Sequence, residues 1–236
     1  MKRILYFLFL AVAAFAEEPR GERVAPLPPA PQILAAARAQ LPPYPVHMTG
    51  TLKERAANGF IKKTLDIEMT LDWGAVPSQA SYQIRDAKNE EVQTLDIRWL
   101  PARPEYFYSK NGNRADSFDP NNEIDGLGVT WADLSFSFLW DPNAETLGIE
   151  KKFGKNRFKI SVPRPNNHIL FLWIEKETGR LVKAEERNAD GGKVKTIKVV
   201  SVKEFDGLWM VKDLDIIRHE QNRRTSLRVD RVEAGN

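Results

Sequence analysis

The 236-residue sequence contains no cysteine. That absence excludes disulfides, a thiol nucleophile, thiolate metal ligation and an acylated lipobox cysteine, so the folded chain depends on an ordinary hydrophobic core. Histidine is scarce as well: His47, His168 and His219 stand far apart, in no HxH or HExxH spacing. A metal site or a Ser-His-Asp triad would have to assemble in space, because no motif announces one. An excess of one charge is also missing, with 35 Lys and Arg against 32 Asp and Glu. Charge so evenly mixed leaves no electrostatic footprint for nucleic acid.

What is there begins with the N-terminus. Lys2 and Arg3 precede an apolar run from Ile4 to Phe15, and Ala14 and Ala16 supply the small residues that signal peptidase needs. The run is shorter than the roughly 20 residues of a membrane-crossing helix. The expectation is a signal peptide over residues 1–16, cleaved after Ala16, and export of the remaining chain. Losing Lys2 and Arg3 brings basic and acidic residues almost into balance. Residues 17–31, EEPRGERVAPLPPAP, read as an extended Pro-rich leader, followed by a single domain over residues 32–236. Its first element is a short helix in PQILAAARAQLPP, with Pro31 near the start and Pro42-Pro43 as the stop.

Beyond Tyr44 the hydrophobic period is two. In Thr64–Trp73, Leu65, Ile67, Met69, Leu71 and Trp73 fall on one face, and Thr64, Asp66, Glu68, Thr70 and Asp72 on the other. Similar alternation marks Val92–Trp99, Arg157–Val162, Lys193–Val202 and Val211–Arg218. Asn58-Gly59, Asn111-Gly112, Thr178-Gly179, Gly191-Gly192 and Asp206-Gly207 punctuate the strands, and Asn-Gly suits the type I′ hairpin. The pattern predicts an antiparallel meander of about eleven strands, mainly β with a few helices. The segment His168–Ile174 is apolar on both faces, with Ile169, Phe171 and Trp173 opposite Leu170, Leu172 and Ile174. Such a strand needs a second layer or an apolar cavity, so the sheet is expected to curve strongly or to carry a helical cover.

The stretch Val129–Trp140, VTWADLSFSFLW, packs four aromatic residues and two leucines into twelve positions. Thr130 and Asp133 stand at capping-box spacing and Asp141-Pro142 supplies a stop, which favours one helix apolar on more than one side. A strand over Ser135–Leu139 remains the alternative, since serines alternate there with apolar residues. Whether the rings are core or line a void stays open. Acidic residues offer no clear catalytic pair: Asp66, Glu68 and Asp72 share a polar strand face, while Glu185 and Glu186 are adjacent. Gly126-Leu-Gly128 lacks the third glycine of a nucleotide-binding loop and reads as a flexible approach to the helix. Catalytic residues, metal and cofactor are therefore expected to be none.

Taken in order, the signal peptide, short helix, meander, Gly126–Trp140 segment, Val162-Pro163, Leu172-Trp173-Ile174-Glu175 and Lys183-Ala184-Glu185 resemble the LolA-like outer-membrane lipoprotein-sorting proteins of bacteria. The resemblance runs from about Pro31 to Val232. It implies an incomplete, strongly curved antiparallel β-barrel whose open side is covered by short helices, enclosing an apolar cavity for acyl chains. The residues expected to face that cavity are Leu65, Ile67, Met69, Leu71, Trp73, Trp131, Leu134, Phe136, Phe138, Trp140, Phe171 and Trp173. Arg55 is a candidate for a latch arginine, although no matching motif surrounds it. The resemblance implies a monomeric periplasmic carrier of lipoprotein acyl chains or another lipid, with transient membrane contact. It also allows envelope protein partners through a sensor or scaffold role; a secreted hydrolase is a third, less favoured reading.

Overall fold

A computed structural model describes residues 26–86, 88, 90–100, 103–205 and 208–235. The expected signal peptide, most of the leader and the Asp206-Gly207 turn lie outside the described residues. A first helix, α1 (Ala30–Arg38), buries Ala30, Ile33, Leu34 and Ala37 on one side. It is followed by β1 (Val46–Arg55), β2 (Ile61–Asp72), β3 (Gln79–Asp86), β4 (Val92–Trp99), β5 (Pro104–Lys110) and the two-residue β6 (Asn113–Arg114). After a long connection come β7 (Glu145–Lys152), β8 (Lys155–Pro163), β9 (Ile169–Glu175), β10 (Leu181–Arg187), β11 (Lys193–Phe205), β12 (Leu208–Arg218) and β13 (Arg223–Ala234). No helix among the described residues is long and apolar enough to cross a membrane.

All thirteen strands form one antiparallel sheet, two more than the sequence pattern suggested, in the order β6-β5-β4-β3-β2-β1-β13-β12-β11-β10-β9-β8-β7. Among the described residues the one non-sequential strand pairing joins β1 to β13 along ten residue pairs from Val46↔Ala234 to Arg55↔Arg224. Two meanders are thereby fused into one sheet that does not close, because β6 and β7 are its unpaired edges. At the fusion the ladder shifts between Thr49 and Gly50. A Cβ on Gly50 would stand 2.2 Å from the Arg228 carbonyl oxygen, so only glycine lets these two backbones meet.

Period-two patterning decides which face is concave. Leu52 opposes Leu65, Met48 opposes Met69, and Met69 opposes Tyr82. Ile97 and Leu95 on β4, Leu170, Leu172 and Ile174 on β9, and Leu214 and Ile216 on β12 join them in one core. Each fully buried aliphatic side chain contributes about 1.5–3 kcal/mol. On the convex side of β9, Phe171 and Trp173 meet no second layer. They lie under lysine: Lys159 Nζ is 5.2 Å from the Phe171 ring and Lys183 Nζ is 4.5 Å from the Trp173 ring. The two-faced strand is thus solved by a core on one side and lysine stems on the other.

The tight turns follow their chemistry. Asn111 and Gly112 take φ of 51° and 77° between β5 and β6, the pair of positive values that a type I′ turn requires. Phe153 and Gly154 take 51° and 77° between β7 and β8, where nothing in the phenylalanine side chain announces a turn.

Glu185, on the convex face of β10, is buried beneath Lys183, Arg187 Nη2 at 2.6 Å and Lys193 Nζ at 3.4 Å. Burial alone would raise its carboxyl, but the hydrogen bonds and charges of Lys183 and Arg187 outweigh it and lower the pKa to about 2. A depressed carboxyl stabilises the fold above the unfolded value near 4.5 and loses that contribution as pH falls toward 2. Thermal melts are therefore expected to show Tm falling between pH 4.5 and 2, with a shallower fall in Glu185→Gln; equal slopes in the two proteins would contradict this.

Candidate functional site

The connection between β6 and β7, residues 115–144, spans the gap left by the unpaired edges. Thr130 opens α2 (Trp131–Leu134): its hydroxyl accepts from the Asp133 amide at 3.2 Å, and Asp133 Oδ2 accepts from the Thr130 amide at 3.1 Å. The capping box forms, with Asp in place of the preferred Glu. The single helix expected from the sequence does not. Phe136 adopts the left-handed conformation, φ 49° and ψ 34°, and ends the helical path; a separate 3-10 turn follows at Ser137–Trp140. Steric cost is high for an aromatic residue there, so tertiary packing holds it.

Two kinds of contact hold this cover. Its N-terminal part is pinned by charge. Lys195 of β11, almost wholly buried, donates to Asp133 Oδ1 at 2.7 Å and lies 3.2 Å from Glu186 Oε2. Glu186 also meets His168 Nδ1 at 2.9 Å. Burial pushes the Glu186 carboxyl up, yet Lys195 and His168 together bring it below the usual carboxylate range. Arg218 Nε donates to the Gly128 carbonyl at 2.9 Å, Arg223 and Thr225 donate to the carbonyls of Gly126 and Leu127, and Lys63 pairs with Asp125. The glycine stretch expected to be a flexible approach is held at three successive carbonyls.

The C-terminal part is held mainly by rings. Trp140 stacks on Trp99 at 4.5 Å, and Phe136 meets Phe138 edge-on at 5.8 Å. Arg38 of α1 donates to the Leu139 carbonyl and stands 5.4 Å from the Trp140 ring. Burial lowers the Arg38 guanidinium, which nonetheless remains charged. Arg55, by contrast, donates to Gly59 in its own hairpin and does not reach the cover. Only the folded chain brings Arg38 and Leu139 together across 101 residues.

Between the cover and the concave face lies an apolar cavity of about 140 Å³. Of the expected residues, Met69, Leu71, Trp73, Leu134, Phe136 and Trp140 line it. Leu65 and Ile67 are buried farther along β2, and Trp131 and Phe138 are buried against the sheet, all four in the core. Phe171 and Trp173 lie on the convex face, away from the cavity, because on β9 it is Leu170, Leu172 and Ile174 that point inward. Missed by sequence reasoning were Ala37 of α1, Leu41 just after it, and Met48, Tyr82, Leu181, Val199, Val211, Leu227 and Val229 of the strands. β-alternation made the strand residues core candidates, but nothing in it distinguishes a residue facing a void from one facing another side chain.

The scattered polar groups have local partners. His47 meets Thr70 Oγ1 at 3.2 Å and Glu68 Oε1 at 3.4 Å; His219 meets Thr196 Oγ1 at 2.8 Å. Asp66, Glu68 and Asp72 sit on the convex face of β2. Among the described residues no group of three or more His, Asp or Glu is placed to hold a metal ion.

Truncations separate core from cavity wall. Trp131→Ala and Phe138→Ala are expected to lose about 3–5 kcal/mol of stability in denaturant melts. Phe136→Ala, at a partly buried ring, should lose about 1–2 kcal/mol. Lys195→Ala removes the cation paired with buried Asp133 and leaves Glu186 only His168, and should cost about 3–5 kcal/mol. Equal losses at Phe136 and Phe138 would contradict the division of the cover into core and wall.

A family model described only as an uncharacterized protein matches residues 106–236. No curated protein matches the sequence. Among solved structures, a putative outer membrane lipoprotein-sorting protein domain from Vibrio parahaemolyticus is similar at TM-score 0.72 and 14% identity, covering 87% of this chain and 92% of its own. A DUF1329 family protein from Desulfovibrio piger is similar at TM-score 0.71 and 10% identity, over 87% and 91% of the two chains. A LolA superfamily protein from Nitrosomonas europaea gives TM-score 0.66 and 12% identity, over 89% and 95%. Identities this low speak for the fold alone: an open, strongly curved LolA-like sheet.

Proposed function

Because the chain belongs to that family of uncharacterized proteins and has the LolA-like fold, we propose that it is a periplasmic carrier that shelters lipoprotein acyl chains or another lipid in its apolar cavity. The observation that carries this reading is an apolar cavity bounded by the concave sheet on one side and a separately held cover on the other. Binding of this kind needs neither metal nor catalytic group. Each methylene moved from water into such a space contributes about 0.8 kcal/mol.

The cavity's size constrains how a carrier would work. A dry cavity of about 150 Å³ accommodates one benzene molecule, so the 140 Å³ here is far too small for a long acyl chain. Loading therefore requires the cover to move. The ring-held turn Ser137–Trp140 is the part to move, since the α2 side is anchored by Lys195, Arg218 and Arg223. Arg38 is the one cation holding that turn to α1 among the described residues.

Membrane contact, where cargo would be exchanged, fits the end of the sheet at which β1 begins. The partly buried cavity residues Trp73, Leu181 and Val211 lie at that end, as do two hairpin tips with Val76 99% and Phe153 86% exposed. Lys151, Lys152 and Lys155 surround Phe153. We expect the protein to act as a monomer and to be exported by cleavage of its N-terminal segment.

The test is binding of a fluorescent fatty acid by the purified chain. Wild type should bind with enhanced, blue-shifted emission. Arg38→Ala should load several times faster while its melting profile stays cooperative. Absence of probe binding in both proteins would overturn the carrier reading, and identical loading rates would overturn the role given to Arg38.

A further inference from the structure

One buried polar atom in the cavity wall lacks a partner. Ser135 is 4% exposed, lines the cavity between Leu134 and Phe136, and its Oγ makes no hydrogen bond. Its amide is already committed to the Trp131 carbonyl at 2.9 Å. Ser137, two residues on, donates its hydroxyl to the Ala132 carbonyl at 3.4 Å, so the cover does satisfy its own serine where it can. An unpaired hydroxyl in an apolar wall is destabilising, and alanine would occupy the same position without that penalty. Across the cavity, Tyr82 of β3 presents a second buried hydroxyl-bearing side chain, which burial and the neighbouring Tyr106 keep protonated. The surrounding wall of Met48, Met69, Leu139 and Leu227 is apolar.

We propose that the cargo carries a hydrogen-bonding oxygen, a hydroxyl or a carbonyl, within its apolar chain, and that Ser135 is the cavity residue that pairs with it. This rests on the carrier reading of the same cavity. Ser135 Oγ is closed off from solvent while the cover is shut, so it meets the cargo when the cover is displaced for loading. A plain saturated chain leaves the hydroxyl as unpaired as before, whereas an in-chain oxygen supplies the partner it lacks. A site with a fixed polar group discriminates against the analogue that lacks its partner, because the unpaired group remains buried. The apolar remainder of the cavity supplies affinity; Ser135 supplies the distinction between otherwise similar chains.

The experiment is displacement of a fluorescent fatty acid from the wild-type chain and from Ser135→Ala. Competitors are octadecanoic acid and a set of octadecanoic acids hydroxylated at single positions along the chain. In wild type, at least one positional isomer should displace the probe about tenfold better than the parent acid. That advantage should vanish in Ser135→Ala, while the parent acid competes equally well against both proteins. Equal displacement by the parent and every isomer would overturn the proposal, as would an advantage that survives in Ser135→Ala. Should neither parent nor isomers displace the probe from wild type, the carrier reading itself falls with it. A thermal melt of Ser135→Ala, expected at or above the wild-type Tm, confirms that the variant is folded.

Discussion

The two edge strands of this sheet never meet, and the rest of the structure is arranged around that gap. The β1–β13 ladder fuses two meanders into one curved surface with its apolar residues on the inside. Closing that surface into a barrel would have let the strands bury one another. Left open, it needs another element to keep water from Ile97, Tyr82 and Leu172, and the chain provides it from the connection between the edges themselves. Cover and opening are thus parts of one topological fact, since the segment that bridges β6 to β7 lies where those strands fail to pair.

The cover is held unequally, and the inequality is physical. On one side stand charge pairs with little access to water, where losing one partner strands another charge. Lys195 is the centre of that side, joining the capping residue of α2 to the wall of the sheet. On the other side stand stacked rings and Arg38, contacts that separate without leaving a buried ion pair broken. Between them Phe136 occupies a backbone conformation that an aromatic residue seldom adopts. A cover so divided joins a half pinned by buried charge to a half held by rings, and the proposed carrier role assigns the displacement to the second.

Much of this was legible in the residues. Alternation in Thr64–Trp73 placed Leu65 to Leu71 inward because a strand with one wet face leaves no other arrangement. Thr130 and Asp133 announced the start of α2 because the capping box is a local bond between residues three apart. The break at Phe136 was not legible: helical spacing favoured continuation, and only packing of its ring on Phe138 and the core offsets the cost of the left-handed turn. Strand β9 misled for a related reason. Both its faces are apolar, so composition does not say which is inside, and the larger rings of Phe171 and Trp173 turned outward beneath lysines. Lys195, Arg38 and Ser135 were invisible as a group because their roles depend on contacts across large sequence separations.

The central claim, that the cavity holds lipid, is tested most directly by native mass spectrometry of the protein purified from the cells that make it, followed by lipid extraction. The carrier reading predicts a population heavier than the bare chain by the mass of a lipid, released on extraction into organic solvent. A single species at the mass of the bare chain, with no extractable lipid, would contradict it.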